Sequence, residues 1–297
     1  GNKLMQKQKI AVIGSGISGL SASFFLSKKF DVYLFEKNKI LGGHTRTVDF
    51  IDNLKDNLSI DTGFIVFNND NYPDLIYFFH HLNIKTQNSN MSFSISVKDP
   101  LFEYGSRNFS ALFAQKKNLF SLDFFIFIKE IIKLYNHCKK ISLSKDLDNF
   151  TIEDFLTKYK YSEKIKNFHI YPMISSIWSC DKKDVKKFPL NSFINFFNNH
   201  SLFNFINRKQ WKFVKGGSYT YINSIIEKNL FKYELNKCVK KIFRNTKNKI
   251  RIVFENNEEF VVDKIVIATH ADQALDILDK PSIDEMKILS KFKYSKN

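Results

Sequence analysis

The chain has 297 residues, 43% of them hydrophobic and 26% charged, which is enough for one large or two modest globular domains, each with a buried core. Its formal net charge of +16 invites a nucleic-acid reading, yet only five of its 46 basic residues are arginines (Arg46, Arg107, Arg208, Arg244 and Arg251). Base and phosphate recognition leans on clustered arginine with aromatic platforms, so nucleic acid is not expected as a partner, and a weak contact with an anionic membrane surface stays open.

In chain order, residues 9–14 (KIAVIG) form a short β-branched apolar run ending in glycine, which predicts a buried strand. Residues 18–29 suit a helix, and residues 31–36 (DVYLFE) return to strand character, so a βαβ unit opens the chain and implies a parallel, doubly wound sheet. After Val48 come a short strand, the polar turn DNLKDN, the run LSIDTGFIVF and a helix over residues 72–82. From about residue 89 to 213 the composition shifts to helical periodicity and abundant Phe. On a helical wheel of residues 119–141 the apolar face is wider than a surface helix needs, which predicts a helix packed on two sides. The alternative is the wall of an apolar cavity or a membrane-facing patch.

Thr151 and Asp154 fit a capping box, and residues 211–217 (WKFVKGG) a strand ending in a glycine turn before a helix over residues 219–228. Residues 237–243, 249–254 and 259–268 alternate as strands, the last running through Asp263 and KIVIA toward a helix at Asp272. The expected fold class is α/β: a Rossmann-like nucleotide-binding βαβ domain (residues 1–88, returning over 214–297) with an inserted, largely helical α+β domain (89–213).

Gly14-Ser15-Gly16-Ile17-Ser18-Gly19 is G-x-G-x-x-G between strand and helix. The first glycine permits the turn, the second lets backbone approach a pyrophosphate, the third lets helix and strand pack closely, and the helix N-terminus favours an anion. Glu36, at the end of the second strand, is placed to accept both ribose hydroxyls of an adenosine, and its charge argues against a 2′-phosphate. NAD dehydrogenases, S-adenosylmethionine methyltransferases and FAD enzymes share this much. The stretch Lys37-Asn38-Lys39-Ile40-Leu41-Gly42-Gly43-His44-Thr45-Arg46-Thr47 separates them, because it adds a second glycine-rich turn directly after the ribose-binding acid.

With that turn the sequence resembles the FAD-dependent amine oxidase, phytoene desaturase and protoporphyrinogen oxidase superfamily. The family commonly has Arg after the paired glycines; here His44 holds that position, with Arg46 two further on. Asp61-Thr62-Gly63-Phe64-Ile65 resembles the segment whose backbone passes the isoalloxazine ring. Val239 resembles the valine that contacts adenine, and the strand ending at Ala268 and Thr269 resembles the return to the FAD domain. IDTGFIVFN, YPMISSIW, FFNNH, WKFVKGGS and IVIATHADQAL together resemble a bacterial subgroup of predicted NAD/FAD-binding flavoproteins, which implies an apolar or fatty-acyl substrate. The cofactor residues so implied are Gly14, Ser15, Gly16, Ile17, Ser18, Gly19, Glu36, Lys37, Gly42, Gly43, His44, Thr45, Arg46, Gly63, Phe64, Ile65, Val239, Ala268 and Thr269. The resemblance also implies a C-terminal glycine-rich segment that nothing in this chain matches, so the chain is expected to be C-terminally truncated and to retain FAD poorly.

Other constellations carry less. Cys138, Cys180 and Cys238 form no C-x-x-C, so neither zinc nor a disulfide framework is expected and a reducing cytoplasmic compartment fits, with a position peripheral to the inner membrane as the variant. The basic start GNKLMQKQK lacks a following apolar run, and the stretch from Leu119 to Tyr135 is broken by Asp123, Lys129, Glu130 and Lys133, so neither a signal peptide nor a membrane span is expected. His80 and His81 lack a third ligand, no serine lies in G-x-S-x-G, and His169, Tyr171, Trp178, His200, Trp211 and His270 read as packed aromatics before cavity walls. No catalytic residue is nominated. The resemblance implies an FAD-dependent oxidoreductase taking a hydride from a small apolar or amine substrate. The alternatives are an NAD-dependent dehydrogenase and a nucleotide- or lipid-binding module without turnover.

Overall fold

The computed structural model describes residues 7–54, 56–141, 149–205, 208–244 and 247–294. Residues 1–6 of the basic start, position 55 of the DNLKDN turn and the last three positions lie outside the described residues. The described residues form two compact units: one holds the chain up to Phe67, Tyr72–Asn88 and Lys212–Tyr294, the other Asn68–Asn71 and Ser89–Trp211.

In the first unit the strands Lys9–Ile13 and Asp31–Phe35 pair in parallel around the helix Ile17–Leu26, as the βαβ spacing predicts. Lys264–Ile267 adds on one edge and Lys232–Glu234 on the other, giving a four-stranded parallel sheet. Strand periodicity sends alternate side chains to opposite faces. Ile10, Val12, Val32 and Leu34 pack with Leu20 and Phe24 of the helix and with Phe78, Phe79, Tyr221 and Ile222. Ala11, Ile13 and Phe35 pack with Val239, Ile242, Ile252, Phe254 and Val262 from an antiparallel sheet of Val239–Arg244, Ile250–Phe254 and Glu259–Val262.

Residues 259–268 do not form one strand. The run breaks at Asp263, which accepts from the Lys9 backbone N–H at 2.8 Å and pairs with Lys249. Glu259–Val262 belongs to the antiparallel sheet and Lys264–Ile267 to the parallel one, so one residue hands the chain from sheet to sheet.

The second unit packs around the helix Leu122–Ile141, whose Phe124, Phe127, Ile131, Leu134, Tyr135 and Cys138 recur at helical spacing and are buried against Phe155, Ile165, Ile174, Phe193 and Phe197. The expectation of a helix packed on two sides is overturned: Phe125, Ile126 and Ile132, on its other side, are exposed. The Thr151 and Asp154 capping box is present and opens the helix Ile152–Lys158. A single turn of π-helix, Lys166–Ile170, leads into the helix Tyr171–Trp178. Among the described residues no helix is long and apolar enough to cross a membrane.

Candidate nucleotide site

Gly14 ends the first strand with φ +97° and donates its N–H to the Phe35 carbonyl at 2.9 Å. A Cβ there would lie 2.7 Å from the Ala268 carbonyl oxygen, and one on Gly19 would lie 1.8 Å from the Gly14 oxygen, so both positions admit only glycine if helix and strand are to pack this closely. Gly16 differs. Its backbone is extended (φ −65°, ψ −179°), and an added Cβ would meet no protein atom within 4 Å.

The second glycine turn folds onto the first. Gly42 (φ +120°) donates its N–H to the Ser15 carbonyl at 3.0 Å and approaches the Ser15 hydroxyl at 3.2 Å. Gly43 (φ +58°) packs so close that a Cβ would sit 2.9 Å from the Gly16 Cα. A side chain on Gly43 would separate the two loops, and one on Gly42 would strike the Ile222 side chain at 2.4 Å, which is why the paired glycines stand here.

Glu36 is buried between these loops. Its Oε2 accepts from the Ser15 N–H at 3.0 Å and from the Ser15 hydroxyl, and its Oε1 accepts from the Asn38 N–H at 2.8 Å. A carboxylate has about four lone-pair sites, so these three bonds leave one on Oε1 for an outside donor.

These residues wall a cavity of about 860 Å³, lined throughout by the first unit. Gly14, Ser15, Gly16, Ile17, Ser18, Glu36, Lys37, Gly42, Gly43, His44, Thr45, Phe64, Val239, Ala268 and Thr269 reach it, whereas Gly19, Arg46, Gly63 and Ile65 do not. Gly63 acts behind the wall: a Cβ there would lie 1.7 Å from the His44 carbonyl oxygen. Arg46 keeps an exposed side chain while its carbonyl accepts from the Thr62 N–H at 2.9 Å. Thr45 is buried, its hydroxyl 2.8 Å from that of Tyr221, whose own pKa burial pushes up to about 12.

Sequence reasoning missed several cavity residues. Gln273, Asp276 and Ile277 reach the wall from one face of the helix Ala271–Ile277, and their three- and four-residue spacing was the available signal. Tyr72, Leu75 and Tyr221 left none, while His270, which reads first as a packed aromatic and second as a cavity wall, reaches this cavity. His270 stacks on Tyr294 at 4.2 Å and faces His44 at 5.9 Å between ring centroids. Behind the site, Asp61 accepts from the Ser218 N–H (2.8 Å) and hydroxyl (2.9 Å) and from the Thr47 hydroxyl (2.7 Å), tying residues 61–64 to the turn after Val214. Among the described residues no group of three or more His, Cys, Asp or Glu is placed to hold a metal ion.

A search of curated protein sequences gives no match. Among solved structures, wild-type putrescine oxidase bound to putrescine is similar at a TM-score of 0.69 and 16% identity, over 95% of this chain and 63% of that one. Cyclohexylamine oxidase from Brevibacterium oxydans gives 0.68 and 18%, over 96% of this chain and 63% of that one. A protein from Pyrococcus furiosus gives 0.62 and 17%, over 97% and 66%. The chain thus spans less than two thirds of the length of these structures, and at such identities they share its fold. The profile of flavin-containing amine oxidoreductases matches residues 17–295, and the chain belongs to that family.

Proposed function

We propose that this chain binds FAD and forms the dinucleotide-holding part of an oxidoreductase acting on an amine or another small apolar substrate, fatty-acyl chains included. In this reading residues 1–88 and 214–297 are the FAD-binding domain and 89–213 the substrate domain. The observation that carries it is the contact of the two glycine turns, Gly43 on Gly16, beside Glu36 in one cavity. The residues fit the cofactor: the open space over Gly16 admits a diphosphate that a side chain would displace, the N-terminus of the helix Ile17–Leu26 favours its charge, and Glu36 keeps one acceptor site for a single ribose hydroxyl rather than two. When bound, FAD supplies a two-electron acceptor for a hydride. The chain's own part is to hold the dinucleotide's length against backbone. An NAD dehydrogenase would need only the first glycine turn, so the second counts against that alternative.

The test is Gly16→Val. Its extended backbone accepts valine, so the variant should melt as the parent does yet bind added FAD at least about ten-fold more weakly by fluorescence titration. Undiminished FAD binding, or binding of NAD in preference to FAD by the unsubstituted chain, would overturn the reading.

A further inference from the structure

The second unit carries an exposed apolar patch that its own core leaves unpacked. Phe120 and Leu122, at the start of the helix Leu122–Ile141, are 92% and 77% exposed, and Phe125 and Ile126 continue the patch along the first turns. Phe109, 70% exposed, joins it through Phe113, whose ring lies 4.7 Å from Phe109 and 5.9 Å from Phe125. Leu101, also exposed, shares a cavity wall with Phe120. Aromatic and leucine side chains left in water at this density mark a contact surface.

The charges around the patch identify what it meets. Lys98, opposite Leu101 in the hairpin Ser94–Lys98/Leu101–Gly105, is exposed, as are Arg107, Lys116, Lys117 and Lys129. The carboxylates nearby are Asp99, Asp123 and Glu163, of which Asp123 is already paired with Lys164 and Glu163 with Lys166. Farther along the helix the exposed face turns polar with Lys133 and Lys140. An apolar tip ringed by long basic side chains suits the boundary of an anionic bilayer, where the rings enter the acyl region and the lysines reach the headgroups. Another exposed apolar surface, the hairpin Thr47–Ile51/Asn57–Asp61 with Val48, Phe50, Leu58 and Ile60 on one face, is flanked instead by Asp49, Asp52 and Asp56 and lacks this character. A second copy of the chain would bring like charges together at the basic patch, in a protein whose net charge is already +16.

We propose that the patch formed by Leu101, Phe109, Phe120, Leu122, Phe125 and Ile126 with its ring of lysines docks the protein on the surface of an anionic lipid bilayer. Co-sedimentation of the 297-residue chain with vesicles of equimolar phosphatidylglycerol and phosphatidylcholine, against phosphatidylcholine alone, tests it. Binding is expected with the anionic vesicles only, and to weaken as salt is raised. F120S/L122S and K116E/K117E should each lower partitioning by about ten-fold or more with an unchanged circular dichroism melt, because all four side chains are exposed. Phe50→Ser on the acidic-flanked hairpin should leave it unaltered. Binding that ignores lipid charge, or persists in both double variants, would overturn the proposal. So would self-association that F120S/L122S abolishes in a chain that ignores vesicles, which would assign the patch to a second copy.

Discussion

His44 stands in the cavity wall while Arg46, two residues later, turns its side chain to solvent and lends only its carbonyl, to Thr62. The resemblance leaves open which of the two meets a diphosphate, and the geometry favours the imidazole. A hydrogen bond from an exposed imidazole to a charged phosphate contributes about 1 kcal/mol, so His44→Ala should weaken FAD binding roughly five-fold, and Arg46→Ala should leave it within about two-fold. Isothermal titration of both variants with FAD decides this. Equal losses in both would bring Arg46 into the site, and no loss in either would take His44 out of it.

The elements that frame the site are those a sequence displays most openly. A parallel strand buried on both faces reads as the unbroken run KIAVI, and glycines whose Cβ would collide with backbone leave a fixed spacing, so the βαβ unit and both turns were legible. What stayed hidden depends on partners distant in sequence. The break at Asp263 exists because Lys9 and Lys249 reach that carboxylate, and the one-sided packing of Leu122–Ile141 follows from partners such as Phe155, Ile174 and Phe197 that gather on one of its faces. The turn Lys166–Ile170 is a further case. It buries His169 between two tyrosines: Nδ1 lies 2.7 Å from the Tyr104 hydroxyl, which itself donates to the Phe168 carbonyl, and Nε2 lies 2.8 Å from the Tyr135 hydroxyl. With Tyr104 donating elsewhere, Nδ1 carries the proton and Nε2 accepts from Tyr135, so the neutral ring is fully satisfied. Burial pushes the pKa of His169 down to about 3 and those of both tyrosines up. A base depressed in the native state stays neutral there while the unfolded chain takes up a proton below about pH 6.5, so its contribution is complete above that pH and is lost as pH falls toward 3. Urea unfolding of the parent should therefore lose about 2 kcal/mol between pH 6.5 and pH 4.5 beyond what His169→Gln loses over the same interval. Parallel acid slopes in the two proteins would show that His169 is not held neutral.

At the scale of the whole chain, the cavity wall is assembled from residues as far apart as Ile13 and Ile277, yet every one of them belongs to the first unit, although the chain leaves that unit near residue 88 and returns at 212. Closing so long an excursion costs only slowly growing loop entropy, and the second unit offsets it with its own core, so the insertion need not alter the walls. A ligand that fills the cavity should then slow local opening where it touches backbone and leave the inserted core unchanged. ADP is the direct probe because it carries the adenine, ribose and diphosphate without the flavin. Hydrogen exchange with saturating ADP should protect peptides spanning residues 13–18, 35–38, 42–45 and 237–239, while peptides across residues 152–199 exchange as in the free protein. Each contact segment is predicted separately, so the pattern is demanding: protection of the glycine loop without residues 42–45 would remove the second turn from the site, and protection centred on the inserted unit would place the nucleotide elsewhere.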